Sequence, residues 1–387
     1  MASQQVLIAG APQPALPFEE VLWEDPDYLS RQLITYIGNK RALLDPIEEA
    51  TATVCERLGT DRLRILDAFS GSGVVSRLFK RFASEVVTND IEDYAHVISN
   101  CYLTNRSDLP EQEVREVVSR LNDAVRETTL EEGFIERLYA PRDDNRIEPG
   151  ERVFYTRANA RRIDNYRRLI ALQPAEIQHW LLGPLLSAAS VHANTAGVFK
   201  GFYKDRATGV GRFGGSGADA LTRILGEIKL RVPVLSRYEC DYSAHREDTN
   251  ELVERLGEFD LAYFDPPYNQ HPYGSNYFML NLIAGYVEPS EISEVSGIPT
   301  AWRRSQYNVR SRSLPSLSKL LHTVDAHFIL LSYNDEGFIA IEDIRRLLDG
   351  LGSVEELKIE YATFRGSRNL RNRSTHVTEH LFLVDTR

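Results

Sequence analysis

Phe259-Asp260-Leu261-Ala262-Tyr263-Phe264-Asp265-Pro266-Pro267-Tyr268 is a short apolar and aromatic run that stops at an acid and two prolines. Its first six residues predict a buried strand. Neither proline has an N–H to give to a ladder, so the chain must turn at the strand's carboxyl end. Asp265 is left there as a short, stiffly held carboxylate, with Tyr268 as an aromatic plane beside it. In open α/β sheets, ligands gather at the carboxyl ends of the strands.

That corner suits one chemistry in particular. The exocyclic amine of a nucleobase is a poor nucleophile, because its lone pair is delocalised into the ring. A carboxylate and a main-chain carbonyl can accept both amino hydrogens and turn the lone pair toward a methyl donor. An aromatic ring can stack on the base once it is extruded. Asp265, the carbonyl of Pro266 and Tyr268 supply these parts. The same residues also suffice for a rigid Asx-type turn, so other stretches have to decide.

Upstream, residues 63–67, 68–73 and 74–79 read as strand, glycine turn and helix. Gly71 and Gly73 let a ligand approach the backbone, and the helix N-terminus favours negative charge nearby. The G-x-G-x-x-G fingerprint is absent because position 76 is Ser, which makes a pyrophosphate the weaker reading. A second strand, 85–89, ends at Asp90, an acid able to accept hydrogen bonds from ribose hydroxyls. Together these features point to a nucleoside-containing ligand. Earlier still, Tyr36-Ile37-Gly38-Asn39-Lys40 opens a helix with the apolar stripe Leu43, Leu44, Ile47, Ala50, Val54 and Leu58. A Gly and a Lys at such a start can hold an anionic group such as a carboxylate, or simply form a turn.

Residues 237–242 read as a third strand with Asp241 at its tip. Residues 326–331, closed by Ser332-Tyr333-Asn334, form another, and 354–363 and 377–384 read as terminal strands around an arginine-rich hairpin. Between the second and third strands the pattern changes. Val114, Val117, Val118, Leu121 and Val125 mark an acidic amphipathic helix, and 161–172 and 176–189 are helical as well. In 198–217, Lys200, Lys204, Arg206 and Arg212 alternate with Phe199, Phe202, Tyr203, Phe213 and glycines. This composition fits a nucleic-acid loop or β-ribbon, with lysines for phosphates and an arginine for guanine, and equally a solvated loop.

A chain of 387 residues, 26% charged and 42% hydrophobic, can bury a large core as one domain with an insertion or as two domains. No apolar run approaches the ~20 residues needed to span a membrane. The first 17 positions lack the basic-then-apolar order of a secretory signal. Cys55, Cys101 and Cys240 are few, odd in number and far apart, which fits a reducing cytoplasm without a disulfide framework or metal site. The net charge of −11 weighs against a nucleic-acid partner. Distribution matters more, and base is concentrated in 152–168, 200–212, 303–312 and 365–373. Such segregation serves a basic face or ordinary solvated surface.

Tyr36-x-Gly38-x-Lys40, Asp67-x-Phe69-x-Gly71-Ser72-Gly73 and Asp265-Pro266-Pro267-Tyr268, in that order, resemble the D12 class of adenine-specific DNA methyltransferases. That class includes Dam-like enzymes and modification methylases of restriction systems. Ser332-Tyr333-Asn334 and the stretch from His376-Val377-Thr378-Glu379 to Leu383 look like its later motifs. The resemblance implies an α/β, Rossmann-like methyltransferase fold using S-adenosyl-L-methionine (SAM), with an inserted, largely helical target-recognition domain at 107–235. Residues 1–30 would then be a lead-in, 31–106 the SAM-binding part and 236–387 the catalytic part. It implies that Gly71, Ser72 and Gly73 meet the methionine part of SAM, that Asp67 and Phe69 also bind the cofactor, and that Tyr36, Gly38 and Lys40 close over it. Asp90 would hold the ribose, and Asp241 would lie near the cofactor adenine. Asp265, Pro266 and Tyr268 would hold the target adenine. The implied partners are double-stranded DNA and a cognate restriction endonuclease, with no metal and no membrane. A ribosomal-RNA adenine methyltransferase is the alternative enzyme. A SAM-binding DNA regulator without catalysis is the alternative outside enzymes, and the intact Asp265–Tyr268 motif argues against it.

Overall fold

Seven strands of the described chain form one sheet: β1 Leu63–Asp67, β2 Ala83–Asn89, β3 Asp241–His245, β4 Phe259–Phe264, β5 Ala326–Asn334, β6 Ser353–Ala362 and β7 His376–Asp385. The computed structural model describes residues 24–215, 220–362 and 376–387. The first 23 positions, 216–219 of the glycine-rich stretch and the arginine-rich 363–375 lie outside the described residues. The strand order is β3-β2-β1-β4-β5-β7-β6. β1 to β5 are mutually parallel, and β7 enters antiparallel between β5 and β6. Strand order reverses between β1 and β4, and crossovers leaving on opposite sides open a crevice at the carboxyl ends there.

The central strands read as unbroken apolar runs because both faces are covered. Ile65, Leu261, Tyr263 and Leu330 pack on one face with helices Leu44–Leu58 and Val74–Phe79. Leu66, Ala262, Phe264 and Leu331 pack on the other with helices Arg310–Thr323 and Ile341–Asp349. The expected strands at 63–67, 85–89, 259–264 and 326–331 and the terminal pair are present. The third strand is displaced. It begins at Asp241, where 237–242 was expected to end, because β3 is an edge strand with no buried residue and therefore no apolar period to locate it.

A third apolar cluster joins helices Glu111–Glu127, Phe134–Tyr139, Arg157–Ala171 and Ala175–Val191. It also takes in Tyr94 and Ile98 of helix Asp93–Tyr102, which follows β2, and Phe278 and Ile283 of helix Phe278–Gly285, which follows β4. The helices between β2 and β3 are thus packed onto the two helices that leave the site end of the sheet. The basic run at 152–168 stitches this cluster together. Arg157 and Arg161 pair with buried Glu136, Arg162 pairs with Glu227, and buried Arg167 donates to the carbonyl of Ala284. Its cations are structural, which removes it as a free basic face. Among the described residues, no helix is long and apolar enough to cross a membrane, and no group of His, Cys, Asp and Glu could hold a metal ion.

Gly183 marks a tight helix crossing in this arrangement. A Cβ there would stand 2.6 Å from Cys101 Sγ and 2.7 Å from its Cβ. Gly183→Val should therefore cost about 1–3 kcal/mol through overpacking, read as a lower midpoint of urea unfolding; an unchanged midpoint would show that the two helices can part freely.

Candidate active site

Five elements converge on one solvent-open cleft of about 850 Å³. They are the carboxyl ends of β1, β2, β3 and β4 and the loop at 36–40, with residues 303–308 along the rim. The β1 turn is held by Ser70 N–H donating to the carbonyl of Asn89 at 2.9 Å and Gly73 N–H donating to that of Ser70 at 2.7 Å. Gly71 and Gly73 have φ of 51° and 71°, the left-handed region that disfavours side chains. Gly71 is also crowded: a Cβ would lie 2.9 Å from Tyr36 Oη. Tyr36 itself is stacked against Tyr273 and Tyr277, with centroids 5.0 and 4.8 Å apart, and so roofs the turn.

Carboxylates dominate the cleft. Asp67 is buried, and burial pushes its acid up to about 7 against the hydroxyl of Ser76, which donates to Oδ2. Its Oδ1 is buried and makes no hydrogen bond of normal geometry among the described residues, although the Phe69 N–H opposes the rise of the acid. Asp90 accepts from Gly71 N–H at 2.8 Å and Glu92 N–H at 2.9 Å, yet burial still lifts it to about 6. Glu92, two residues on, is pushed to about 8 by burial and by the Asp90 charge, although Asn281 donates to its Oε2. Two buried acids, Asp67 and Glu92, and the half-buried Asp90 are thus all held above the usual carboxylate range. The walls beside them are aromatic: Phe69 meets Tyr307 edge-on with centroids 5.2 Å apart.

At the other end of the cleft stands Asp265. Lys40, 4% exposed, places Nζ 2.9 Å from Asp265 Oδ1 and 3.0 Å from Oε1 of Glu379, which is fully buried. The anionic group expected for Lys40 is thus the protein's own pair of carboxylates. Burial raises the Asp265 acid, and the Lys40 ammonium opposes the rise. Tyr268 stands edge-on to Tyr333 with centroids 6.1 Å apart, and its carbonyl accepts from Phe338 N–H at 2.8 Å. Pro266 is buried at the turn between them.

Tyr36, Gly38, Lys40, Asp67, Phe69, Gly71, Ser72, Asp90 and Asp265 all line this cleft, and Gly73 closes its turn. Asp241 does not. It opens β3, paired with Glu85, and four residues at ~3.3 Å each separate it from the strand's carboxyl end. Asp248 and Thr249 occupy that end instead, Asp248 capping the following helix by accepting from Asn250 N–H at 2.9 Å. An Asp-Thr pair opening a helix was the available signal, hidden by the misplaced strand. Glu92, Tyr273, Tyr307 and Glu379 were also missed as site residues; nothing in their spacing distinguishes them from core.

The ribbon expected at 198–217 is a hairpin in its described part. Lys204 and Gly211 form an antiparallel bridge, and buried Asn194 clamps its base through the carbonyls of Val153 and Arg212 and the N–H of Gly214. Lys200, Lys204, Arg206 and Arg212 are all exposed. Arg212 is partly engaged, donating to the Gly215 carbonyl and lying 3.8 Å from Asp205, whereas Arg206 sits at the tip. The hairpin reaches the cleft directly. Phe199 N–H donates to the carbonyl of Asn276 at 2.7 Å, and Lys200 Nζ lies 3.4 Å from His271 Nδ1. Against the same stretch, Asn308 donates to the carbonyl of Asn269, and Arg303, Arg304, Arg310 and Arg312 are exposed along the segment that carries it.

Comparison with known proteins agrees with this geometry. Type II methyltransferase M.NlaIII of Neisseria lactamica is 26% identical over 360 residues, covering 91% of this chain and 99% of the relative. Type II methyltransferase M.CviAII of Paramecium bursaria Chlorella virus 1 is 29% identical over 357 residues, covering 91% and 98%. Type II methyltransferase M.FokI of Planomicrobium okeanokoites is 27% identical over 364 residues, covering 90% of this chain and 52% of the relative. A family model for D12 class N6 adenine-specific DNA methyltransferases matches residues 36–347, from the Tyr36 loop to beyond β5. With that match spanning the cleft and the Asp265–Tyr268 corner alike, the chain belongs to the D12 class N6 adenine-specific DNA methyltransferases.

Proposed function

We propose that the chain transfers the methyl group of SAM to N6 of an adenine extruded from duplex DNA. The observation that carries this reading is Asp67 Oδ1, which among the described residues makes no hydrogen bond of normal geometry and is buried in an acidic cleft that leads to Asp265. When bound, SAM supplies an electrophilic methyl on a sulfonium, together with an ammonium and a nucleoside. Asp67 Oδ1 is suited to the ammonium, and the raised acids of Asp90 and Glu92 favour a cationic ligand over an anionic one. Both Asp90 oxygens already accept backbone N–H groups, but each keeps a lone pair for a ribose hydroxyl. Phe69 and Tyr307 flank the nucleoside, and Asp248, rather than Asp241, accepts from the cofactor adenine's amine.

Asp265 and the carbonyl of Pro266 take the two hydrogens of the target amine, and Tyr268 stacks on the base. Their part is to orient the lone pair and exclude other poses. The hairpin and the 303–312 rim meet DNA beside the cleft. Lysines there neutralise phosphates, and Arg206 at the tip is the candidate for reading a base. The relatives' names support a modification role, with a cognate restriction endonuclease as the partner whose sites are protected.

Methyl transfer from labelled SAM to duplex DNA, followed by mass spectrometry of the nucleosides, should find N6-methyladenine. Asp265→Ala should lower transfer at least ~10²-fold, as expected for a group acting in the transition state, while donor affinity changes little. Label appearing only on cytosine or on RNA would reject the assignment. Calorimetric titration with SAM separates the acid that opens β3 from the one that follows it: Asp248→Ala should weaken binding at least about tenfold, and Asp241→Ala should leave it unchanged. The reverse pattern would restore Asp241. On DNA, Lys204→Ala and Arg304→Ala should each reduce the salt slope of binding by about one on every sequence. Arg206→Ala should cost about 1–3 kcal/mol and relax preference at one base pair. If none of the three changes affinity, slope or preference, recognition lies elsewhere on the surface.

A further inference from the structure

The cleft's chemistry leaves one buried charge without a role. Glu379 is fully buried near the start of β7, far in sequence from every other site residue. It faces Asn334 across the β5–β7 ladder, and the Ser332 hydroxyl donates to its Oε1 at 2.6 Å. The same oxygen lies 3.0 Å from Lys40 Nζ, whose other contact is Asp265 Oδ1 at 2.9 Å. Strand alternation explains the meeting. Asp67, Tyr263, Asp265, Ser332 and Glu379 all share the parity of the Leu44–Leu58 face, over which the Lys40 loop enters. Because β7 runs antiparallel, its first residues lie at the carboxyl ends of its neighbours.

A lysine facing Asp265 alone would set its full field on the carboxylate that must accept hydrogen bonds from the target amine. Two carboxylates without the lysine would not both stay ionised in one buried site. Sharing the ammonium avoids both outcomes. On the reading that Asp265 takes the target amine, we infer that Glu379 is a positioning residue: by holding one side of the Lys40 ammonium and tempering its field, it keeps Asp265 oriented through Oδ1 and able to accept through Oδ2. No hydrogen bond to Asp265 Oδ2 is found among the described residues.

The groups facing Asp265 are Lys40 from the loop, Glu379 from β7, Asp67 from β1, Tyr263 of β4 itself, and Tyr268 and Tyr273 from the segment after it. Of these, Lys40 lowers the Asp265 acid and Glu379 raises it. Activity needs Asp265 ionised, so it is lost as pH falls through this group's pKa. Glu379→Gln keeps the side chain's shape and removes its charge. It should move the acid limb of kcat to lower pH while lowering kcat on the plateau by about tenfold to a hundredfold, with KM for DNA and SAM within about twofold. Lys40→Gln should move the limb the other way, to higher pH. A ¹³C-carboxyl titration of Asp265 in wild type and Glu379→Gln reports the same displacement without turnover. A purely structural ion pair would lower the unfolding midpoint and leave both limbs in place. That result, or limbs moving in the same direction, would overturn the inference. Asp265→Ala serves as the control: if it remains active, the reading of Asp265 has failed, and if it is dead while the limbs stay put, only the role of Glu379 has.

Discussion

The ammonium of Lys40, buried between Asp265 and Glu379, ties together three segments that are remote in sequence: the loop before the first long helix, the end of β4 and the start of β7. Each of the three charges would be costly alone in that position. Removing one partner from a buried ionic group typically costs about 3–5 kcal/mol, because the remaining charge is left uncompensated. The consequence is geometric as well as energetic. The strand-end carboxylate cannot swing away while its oxygen is held at 2.9 Å, and the loop carrying Tyr36 cannot lift from the cleft without breaking the same contact.

The remainder of the cleft follows a second electrostatic rule. Asp67 and Glu92 are buried and Asp90 is half-buried, and their acids rise because water is excluded and because the Asp90 charge acts on the other two. A protein maintains such a cluster at a cost to its own stability. The acidic total of −11 therefore reflects in part the inside of the cleft, whereas the exposed cations of the hairpin and of 303–312 stand beside it. Net charge and local field have opposite signs here, and the local field is what a phosphate meets.

The helices between β2 and β3 belong to this arrangement. Their core is shared with the helices that follow β2 and β4, and the hairpin they support bonds directly to the loop after Asp265. The hairpin and the segment after Asp265 are thus linked through hydrogen bonds, Phe199 N–H to the Asn276 carbonyl foremost.

Much of this was legible in the residues. The apolar runs of β1, β2, β4 and β5 announce buried parallel strands, two prolines end β4 at Asp265, and glycines mark the only backbone that can turn after β1. Those are local consequences of side-chain periodicity and backbone stereochemistry, and a sequence carries them directly. β3 was misplaced, and with it Asp241, which opens the strand while Asp248 stands at its carboxyl end, because an edge strand with no buried face leaves no period to follow. The arginines of 157–168 looked like a free basic face until packing brought Glu136, Glu227 and the Ala284 carbonyl against them. Glu379 was legible as part of the closing motif from His376 to Leu383, but not as a partner of Lys40. Its meeting with Lys40, 339 positions earlier, depends on β7 inserting antiparallel beside β5. Local chemistry is written along the chain, but which charges share one buried volume is decided only when the sheet closes.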